Sequence, residues 1–418
     1  MISEDSPAVS RLSRLALIAC MFLITASVGF LQPFVPLYLE ASGLNRQQIG
    51  LVTGLGAGLA FLIQPLLGYL SDKFDTRRPL MSLAALLSGC AYLAYRRAHG
   101  LEAFLLISAL GINGTFYLNA VGGVLVGRLI QGKRGGGAAY TRYRVWGSVG
   151  YIVVALLAGW LLNHRVTAHA GLSRSALDTI FTYGPLLFLA VALLAWWVPD
   201  PRRGPQEPAP PSETGAQTSR LSANVRAFLL AYFIYQFGLY GASAYLSLFL
   251  KTLGASPLWI TSVFASGVVC EVLIMTQVGH WTDRYGRRPA LALAFILMPL
   301  RLLAYIPAST PLWVLMVQTL HGLNFGIMGA IAVVFINDST PPGGHGRAQA
   351  RLAGVGGLAI ALGPAVCGWL VQHAGMRTMF ATMSGFGGLA ALVFLTRVRE
   401  SHPDATLPEQ REGTEGKA

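Results

Sequence analysis

Gly68-Tyr69-Leu70-Ser71-Asp72-Lys73-Phe74-Asp75-Thr76-Arg77-Arg78-Pro79 closes one long apolar run and opens the next. Half a chain later, Gly279-His280-Trp281-Thr282-Asp283-Arg284-Tyr285-Gly286-Arg287-Arg288-Pro289 does the same. Each places a Gly, an Asp four residues on, and paired Arg before Pro in a short polar stretch that reads as a tight turn. The two aspartates lie 211 residues apart (283 − 72). A turn repeated at half the chain's length is the mark of a membrane protein assembled from two similar halves.

Outward from these turns the chain is overwhelmingly apolar. Its 418 residues are 54% hydrophobic and 12% charged, with a mean hydropathy of +0.54. Soluble domains carry about 25% charged residues. Apolar stretches long enough to cross a bilayer fall at 14–38, 48–71, 79–95, 102–127, 145–163 and 179–198, then at 225–250, 257–279, 289–307, 311–336, 352–372 and 377–396. The first is too long for a signal-peptide core and no small-residue cleavage site follows it, so it is expected to be retained.

The net charge of +13 invites a nucleic-acid reading, but its distribution opposes one. With both termini on the cytoplasmic side, 23 of the 31 Lys and Arg face the cytoplasm. Seven are external and Arg301 lies inside a span. That asymmetry sets the orientation, and charge spread over many loops is no nucleic-acid surface. All four Cys lie within spans, which leaves no external pair for a disulfide. The Pro-rich stretch from Pro199 to Pro211 and the polar residues after it read as a linker, and the residues after Glu400 as a disordered tail.

A second matched pair supports duplication. Arg144, Gly147 and Gly150 open the fifth span, and Arg351, Gly354 and Gly357 open the eleventh, with identical spacing. Both spans end in Gly-Trp-Leu, at Gly159-Trp160-Leu161 and Gly368-Trp369-Leu370. Glycines at this spacing let helices approach closely in lipid. Pure packing and a direct part in transport are both open for them.

These turns and repeats resemble the loop signature of the major facilitator superfamily over nearly the whole chain. The resemblance implies an all-α integral membrane fold: twelve transmembrane helices in two six-helix pseudo-repeat bundles, both termini cytoplasmic. The expected divisions are an N-terminal bundle at 1–198, a linker at 199–223, a C-terminal bundle at 224–400 and a tail at 401–418. Asp72, Arg77, Arg78, Asp283, Arg287 and Arg288 are then expected to gate the cytoplasmic side, through charge pairs made in one state and broken in the other. Phe74-Asp75-Thr76 departs from the usual Gly, so the first copy is the weaker match.

Charge inside the hydrocarbon is the sharpest functional signal in such a sequence. Of 18 acids, Glu271 alone sits deep in a span, with Arg301 in the next span and His321 and Asn324 in the one after. Burial favours the neutral carboxylic acid and a guanidinium favours the carboxylate. An acid between those influences can bind and release a proton. A static Glu271–Arg301 pair joining two helices is the competing reading.

Arg142-Tyr143-Arg144-Val145-Trp146-Gly147, Glu271, Arg301 and Thr319-Leu320-His321 look like the cluster that contains lactose permease, nucleoside/proton symporters and phenylpropionate permeases. That resemblance implies proton coupling by Glu271, Arg301 and His321, and substrate binding by Arg144. The departures count against lactose itself. The stretch from Ala120 to Val126 carries no acid to partner Arg144, Asn324 stands where an acid would, and Gln318 replaces a Lys. Gln32, Asn113, Tyr117, Asn119, Tyr235, Gln236 and Asn324 are further candidates to line a substrate cavity, although such polar stripes also serve ordinary packing.

The expectation is therefore a proton-coupled transporter of a small organic solute by alternating access. Symport of a sugar, nucleoside or aromatic acid is favoured, and proton-antiporting efflux of drugs or sugars is the alternative. Gly363-Pro364 in the eleventh span supports the alternative; the absence of Gly-Pro from the fifth opposes it. The expected partners are the solute, protons and the lipid bilayer, with no nucleic acid. The expected state is a monomer in a bacterial cytoplasmic (inner) membrane. No enzyme, cofactor or metal is expected, since no nucleophile elbow or metal-ligand spacing occurs, and Gly135-Gly136-Gly137 lacks the Lys-Ser/Thr of a phosphate loop.

Overall fold

The computed structural model describes residues 11–73, 77–130, 136–166, 172–199, 221–341 and 344–401. It leaves out the side chains of 60–68, 71–73, 113, 127–130 and 136–142 within them. Most of the linker and tail, and the side chains of Asp72 and Asn113, thus lie outside the described residues. All regular structure in the described residues is helical. In chain order the helices are α1 (Arg11–Leu31), α2 (Val35–Ala41), α3 (Arg46–Lys73), α4 (Arg78–Ala94), α5 (Gly100–Ile130), α6 (Gly136–Arg165) and α7 (Arg174–Leu194). After the linker come α8 (Ala223–Ser243), α9 (Leu246–Thr252), α10 (Pro257–Tyr285), α11 (Arg287–Tyr305), α12 (Pro311–Asp338) and α13 (His345–Arg397). Among the described residues, nine helical segments are long and apolar enough to cross a membrane by length and composition.

Two features differ from the apolar-run reading. α6 starts at Gly136 and α13 at His345, so Arg144 and Arg351 sit well inside helices that were expected to begin with them. Apolar runs mark where hydrocarbon begins, whereas Ala, Gln and Arg continue a helix into the polar zone. The eleventh and twelfth spans are joined in α13, but Gly375 adopts φ +85°, ψ 168° and breaks it where the turn was expected. That left-handed φ suits Gly because it has no Cβ.

The duplication is visible in the backbone. The first span breaks at Gln32-Pro33-Phe34 and the seventh at Ala244-Tyr245. Each break is followed by a seven-residue helix, α2 or α9, offset by 211 (246 − 35). The helix ends are finished alike too. Arg78 Nε donates to the Val198 carbonyl at 2.7 Å, and Arg288 Nε donates to the Val398 carbonyl at 2.8 Å. A cation favours a helix C-terminus, where carbonyls lack intrahelical partners.

The chain divides into two compact units, Met1–Ser219 with Ser256–Ala265, and Arg220–Ala255 with Ser266–Ala418. In the first, α1 packs mainly on α6; in the second, α8 packs mainly on α13. Glycines permit both approaches. A Cβ on Gly150 would run into the Phe22 carbonyl group, lying 3.0 Å from its carbon, and one on Gly363 would lie 3.1 Å from Gly241 N. Gly150→Ala and Gly363→Ala should each destabilise by about 1–3 kcal/mol through overpacking. Thermal unfolding followed by maleimide labelling of Cys20 and Cys367, both fully buried, checks this; unchanged midpoints would show that the helices can part at no cost.

The outer surface is apolar, with Leu106, Leu157, Leu193, Leu273 and Leu392 all more than half exposed. Every one of the eight Trp is exposed, from 40% at Trp259 to 58% at Trp281. Such a surface suits lipid, and Trp favours the membrane–water boundary.

Candidate substrate and proton site

In the second unit, Arg301 is the focus. It is 1% exposed in α11, at a depth where a charge needs partners. Its Nη1 contacts His321 Nδ1 at 3.2 Å and donates to Asn324 Oδ1 at 3.3 Å. The guanidinium carbon lies 6.0 Å from the centre of the Tyr305 ring. Tyr305 in turn donates to Gln318 Oε1 at 2.5 Å. Arginine can only donate, so His321 Nδ1 must offer its lone pair. The imidazole is then neutral, with its proton on Nε2, and it stacks on Phe325 with centroids 4.0 Å apart.

Asn324 is fully buried and its amide is engaged at both ends. Its Nδ2 donates to the Ala294 carbonyl at 3.0 Å while its Oδ1 receives Arg301, and its own carbonyl accepts from Tyr235 at 3.3 Å. Asn324 thus ties α12 to α11 and orients Arg301. Tyr235, also fully buried, packs edge-on against Phe295 at 5.0 Å. Gln236 Nε2 donates to Tyr232 at 2.9 Å, and its buried Oε1 has no hydrogen-bond partner among the described residues.

Glu271 is half-buried in α10, where that helix crosses α12. A Cβ on Gly322 would meet Glu271 N at 2.5 Å, and one on Gly326 would meet Glu271 O at 3.2 Å. Gly322-x-x-x-Gly326 is a close-approach motif. It holds the Glu271 backbone one residue along from His321. The packing of α11 on α12 gathers Arg301, His321 and Asn324, and Gly322 and Gly326 bring the Glu271 backbone against α12 beside them. The sequence reading passed over Gly322 and Gly326, although their four-residue spacing was there to be seen.

In the first unit a cavity of about 180 Å³ is lined by Met21, Thr25, Asn119, Gly123, Val126, Arg144 and Gly147. Thr25 Oγ1 donates to the Gly147 carbonyl at 2.5 Å, locking α1 to α6, and Asn119 Nδ2 donates to the Thr115 carbonyl at 3.0 Å. Arg144 and Asn119 are thus brought together, and Met21 and Thr25 are additions that no motif announced. Gln32 stands apart, exposed, with its Oε1 3.4 Å from the Tyr151 hydroxyl that donates to it. Tyr117 is buried in α5 and does not line the cavity.

The turn residues form clasps. Arg287 Nη1 lies 2.6 Å from Asp283, and its Nε lies 3.3 Å from Asp338 at the end of α12. Glu400 accepts the backbone N–H groups of Arg287 and Arg288 at 3.0 and 2.9 Å, capping α11. Arg77 is buried at the opening of α4 beside Arg78.

The MFS_1 like family model matches residues 14–382. The chain is 27% identical to the maltose permease of Geobacillus stearothermophilus, over 90% of this chain and 93% of that one. It is 26% identical to the multi-drug resistance efflux pump PmrA of Streptococcus pneumoniae, over 84% of this chain and 88% of the pump. A point mutant of the nucleoside transporter NupG superimposes with a TM-score of 0.75 at 17% identity, covering 92% of this chain and all of that structure. At that identity the likeness speaks for the fold alone. The protein is an integral membrane secondary transporter rather than an enzyme, and it belongs to the MFS_1 like family of the major facilitator superfamily.

Proposed function

We propose that the protein is a proton-coupled symporter of a small organic solute, working by alternating access of two six-helix bundles. Glu271 carries this reading, as a half-buried acid at the crossing of α10 and α12. Ionisable groups at membrane depth mark ion pathways. The hydrogen-bond pattern favours Glu271 as the proton carrier. His321 already spends its Nδ1 lone pair on Arg301, and a proton there would set two cations 3.2 Å apart. His321 and Arg301 act by holding the local field, and Asn324 holds Arg301. Tyr235 is enclosed by Phe295 and Asn324, which favours a supporting part for it.

The same proposal includes twelve spans, cytoplasmic termini, bundles at 1–198 and 224–400, a monomer, and a bacterial cytoplasmic membrane; the orientation rests on the distribution of Lys and Arg. The Asp283–Arg287–Asp338 clasp and the Arg78 and Arg288 caps supply cytoplasmic contacts able to break and reform. Likeness to PmrA over 84% of the chain favours a second reading, proton-antiporting efflux. Proteoliposomes separate the two, with radiolabelled maltose, uridine and benzoate as probes. Symport accumulates a probe only when the lumen is alkaline, and antiport only when it is acidic. Uptake indifferent to gradient polarity would refute proton coupling altogether.

A further inference from the structure

We propose that the transported solute carries a carboxylate, and that Arg144 seats it in the cavity formed by α1, α5 and α6. This rests on the transporter reading and narrows it to small organic acids with an apolar body. Arg144 is the one charged residue among the described residues that line the cavity, and it is exposed, so a ligand can reach it. It makes no hydrogen bond or ion pair with any described residue. The three surrounding helices explain why. α1 and α6 contain no Asp or Glu, and α5 contains only Glu102 in its first turn. Glu102 precedes Asn119 by 17 residues, about 25 Å along the helix axis. With no counter-charge among the described residues, this guanidinium is left to an anionic ligand. A ligand carboxylate matches the planar fork with two parallel hydrogen bonds.

The remaining lining decides between acid and sugar. Met21, Gly123, Val126 and Gly147 offer no polar side-chain atom capable of a strong hydrogen bond. Thr25 has committed its hydroxyl hydrogen to Gly147 or Met21 carbonyls and can only accept. Asn119 has one N–H committed to Thr115, which leaves its second N–H free to donate. Among the described lining side chains, strong donors are thus confined to Arg144 and Asn119. A polyol would leave several hydroxyls without a side-chain donor there, whereas a carboxylate meets those two donors and a short alkyl or aryl body can rest on Met21 and Val126. The volume of about 180 Å³ is below the roughly 300 Å³ at which drug-sized pockets begin, so a small acid is indicated.

Benzoate and benzamide, nearly equal in shape and different in charge, make the test, with hexadienoate and its amide as a second pair and maltose as the neutral sugar. Binding of each compound is measured directly by isothermal titration calorimetry on the purified full-length protein, with no gradient present. The expected result is that each acid binds at least about tenfold tighter than its amide (about 1.4 kcal/mol). Arg144→Gln should abolish the difference and Arg144→Lys should keep part of it, with thermal midpoints unchanged. Equal binding of acid and amide by the wild type overturns the assignment, as does binding of maltose with no binding of either acid. A difference that survives Arg144→Gln also overturns it. Glu271→Gln should leave the preference for acid intact. Acid binding without gradient-driven uptake would therefore sink proton coupling and spare this assignment, and gradient-driven uptake of maltose alone would do the reverse.

Discussion

Glu271→Gln is expected to abolish uphill accumulation under a pH gradient while solute exchange across the same vesicles continues. Glutamine keeps the shape and hydrogen-bonding reach of a protonated carboxyl but can neither release nor take up the proton. Each pH unit of gradient supplies about 1.4 kcal/mol per coupled proton, so a gradient of one unit supports about tenfold accumulation in the wild type and none in the variant. The neutral side chain leaves the packing of Gly322 and Gly326 on the α10 backbone undisturbed, so protein yield and thermal midpoint should be preserved. Accumulation that persists in the variant would show that Glu271 is only half of a static pair, and the coupling role would pass to another group.

Arg301 is expected to be the residue whose loss is felt in both stability and transport. Arg301→Ala strips His321 and Asn324 of a shared donor at 3.2 and 3.3 Å in a dry interior. Leaving two buried acceptors unmet costs about 1–3 kcal/mol each, and the void beside Tyr305 adds to that. Unfolding followed through Cys20 and Cys367 should therefore shift downward and transport should fail. A sharper comparison concerns His321, because its role as a neutral acceptor makes opposite forecasts for two substitutions. His321→Gln can still accept from Arg301 and should retain transport, within about threefold if one ordinary hydrogen bond is partly weakened. His321→Lys puts a like charge against the guanidinium and should behave as badly as Arg301→Ala. If Lys is tolerated and Gln is not, the imidazole is charged in the working cycle and the proton assignment to Glu271 must be revised.

Much of this is legible in the sequence alone. The repeated turn, the 211-residue offset and the single deep acid are local signals, and each depends on a residue type that lipid tolerates poorly. The paired turn arginines stand out in the sequence, and Arg78 and Arg288 reach the Val198 and Val398 carbonyls. Other features were hidden for a physical reason. In a bilayer, the face turned to lipid is as apolar as the face turned to protein, so periodicity stops reporting which side is inside. Tyr235 and Asn324 were read as cavity residues on that weak signal, yet both are fully buried between helices. The break before α2 carries Pro33 and Pro36, but its counterpart before α9 has no proline, so packing sets it there. Thr25 and Met21 drew no notice because neither belongs to a motif; only the approach of α1 to Gly147 brings them to Arg144.

The placement of the tryptophans has a practical consequence. With all eight indoles exposed, ultraviolet emission from this protein reports mostly on its surroundings and little on its core. Exchange of detergent for bilayer should move the emission maximum, and brominated acyl chains should quench most of the signal. Loosening of the interior, by contrast, will pass almost unseen in that channel.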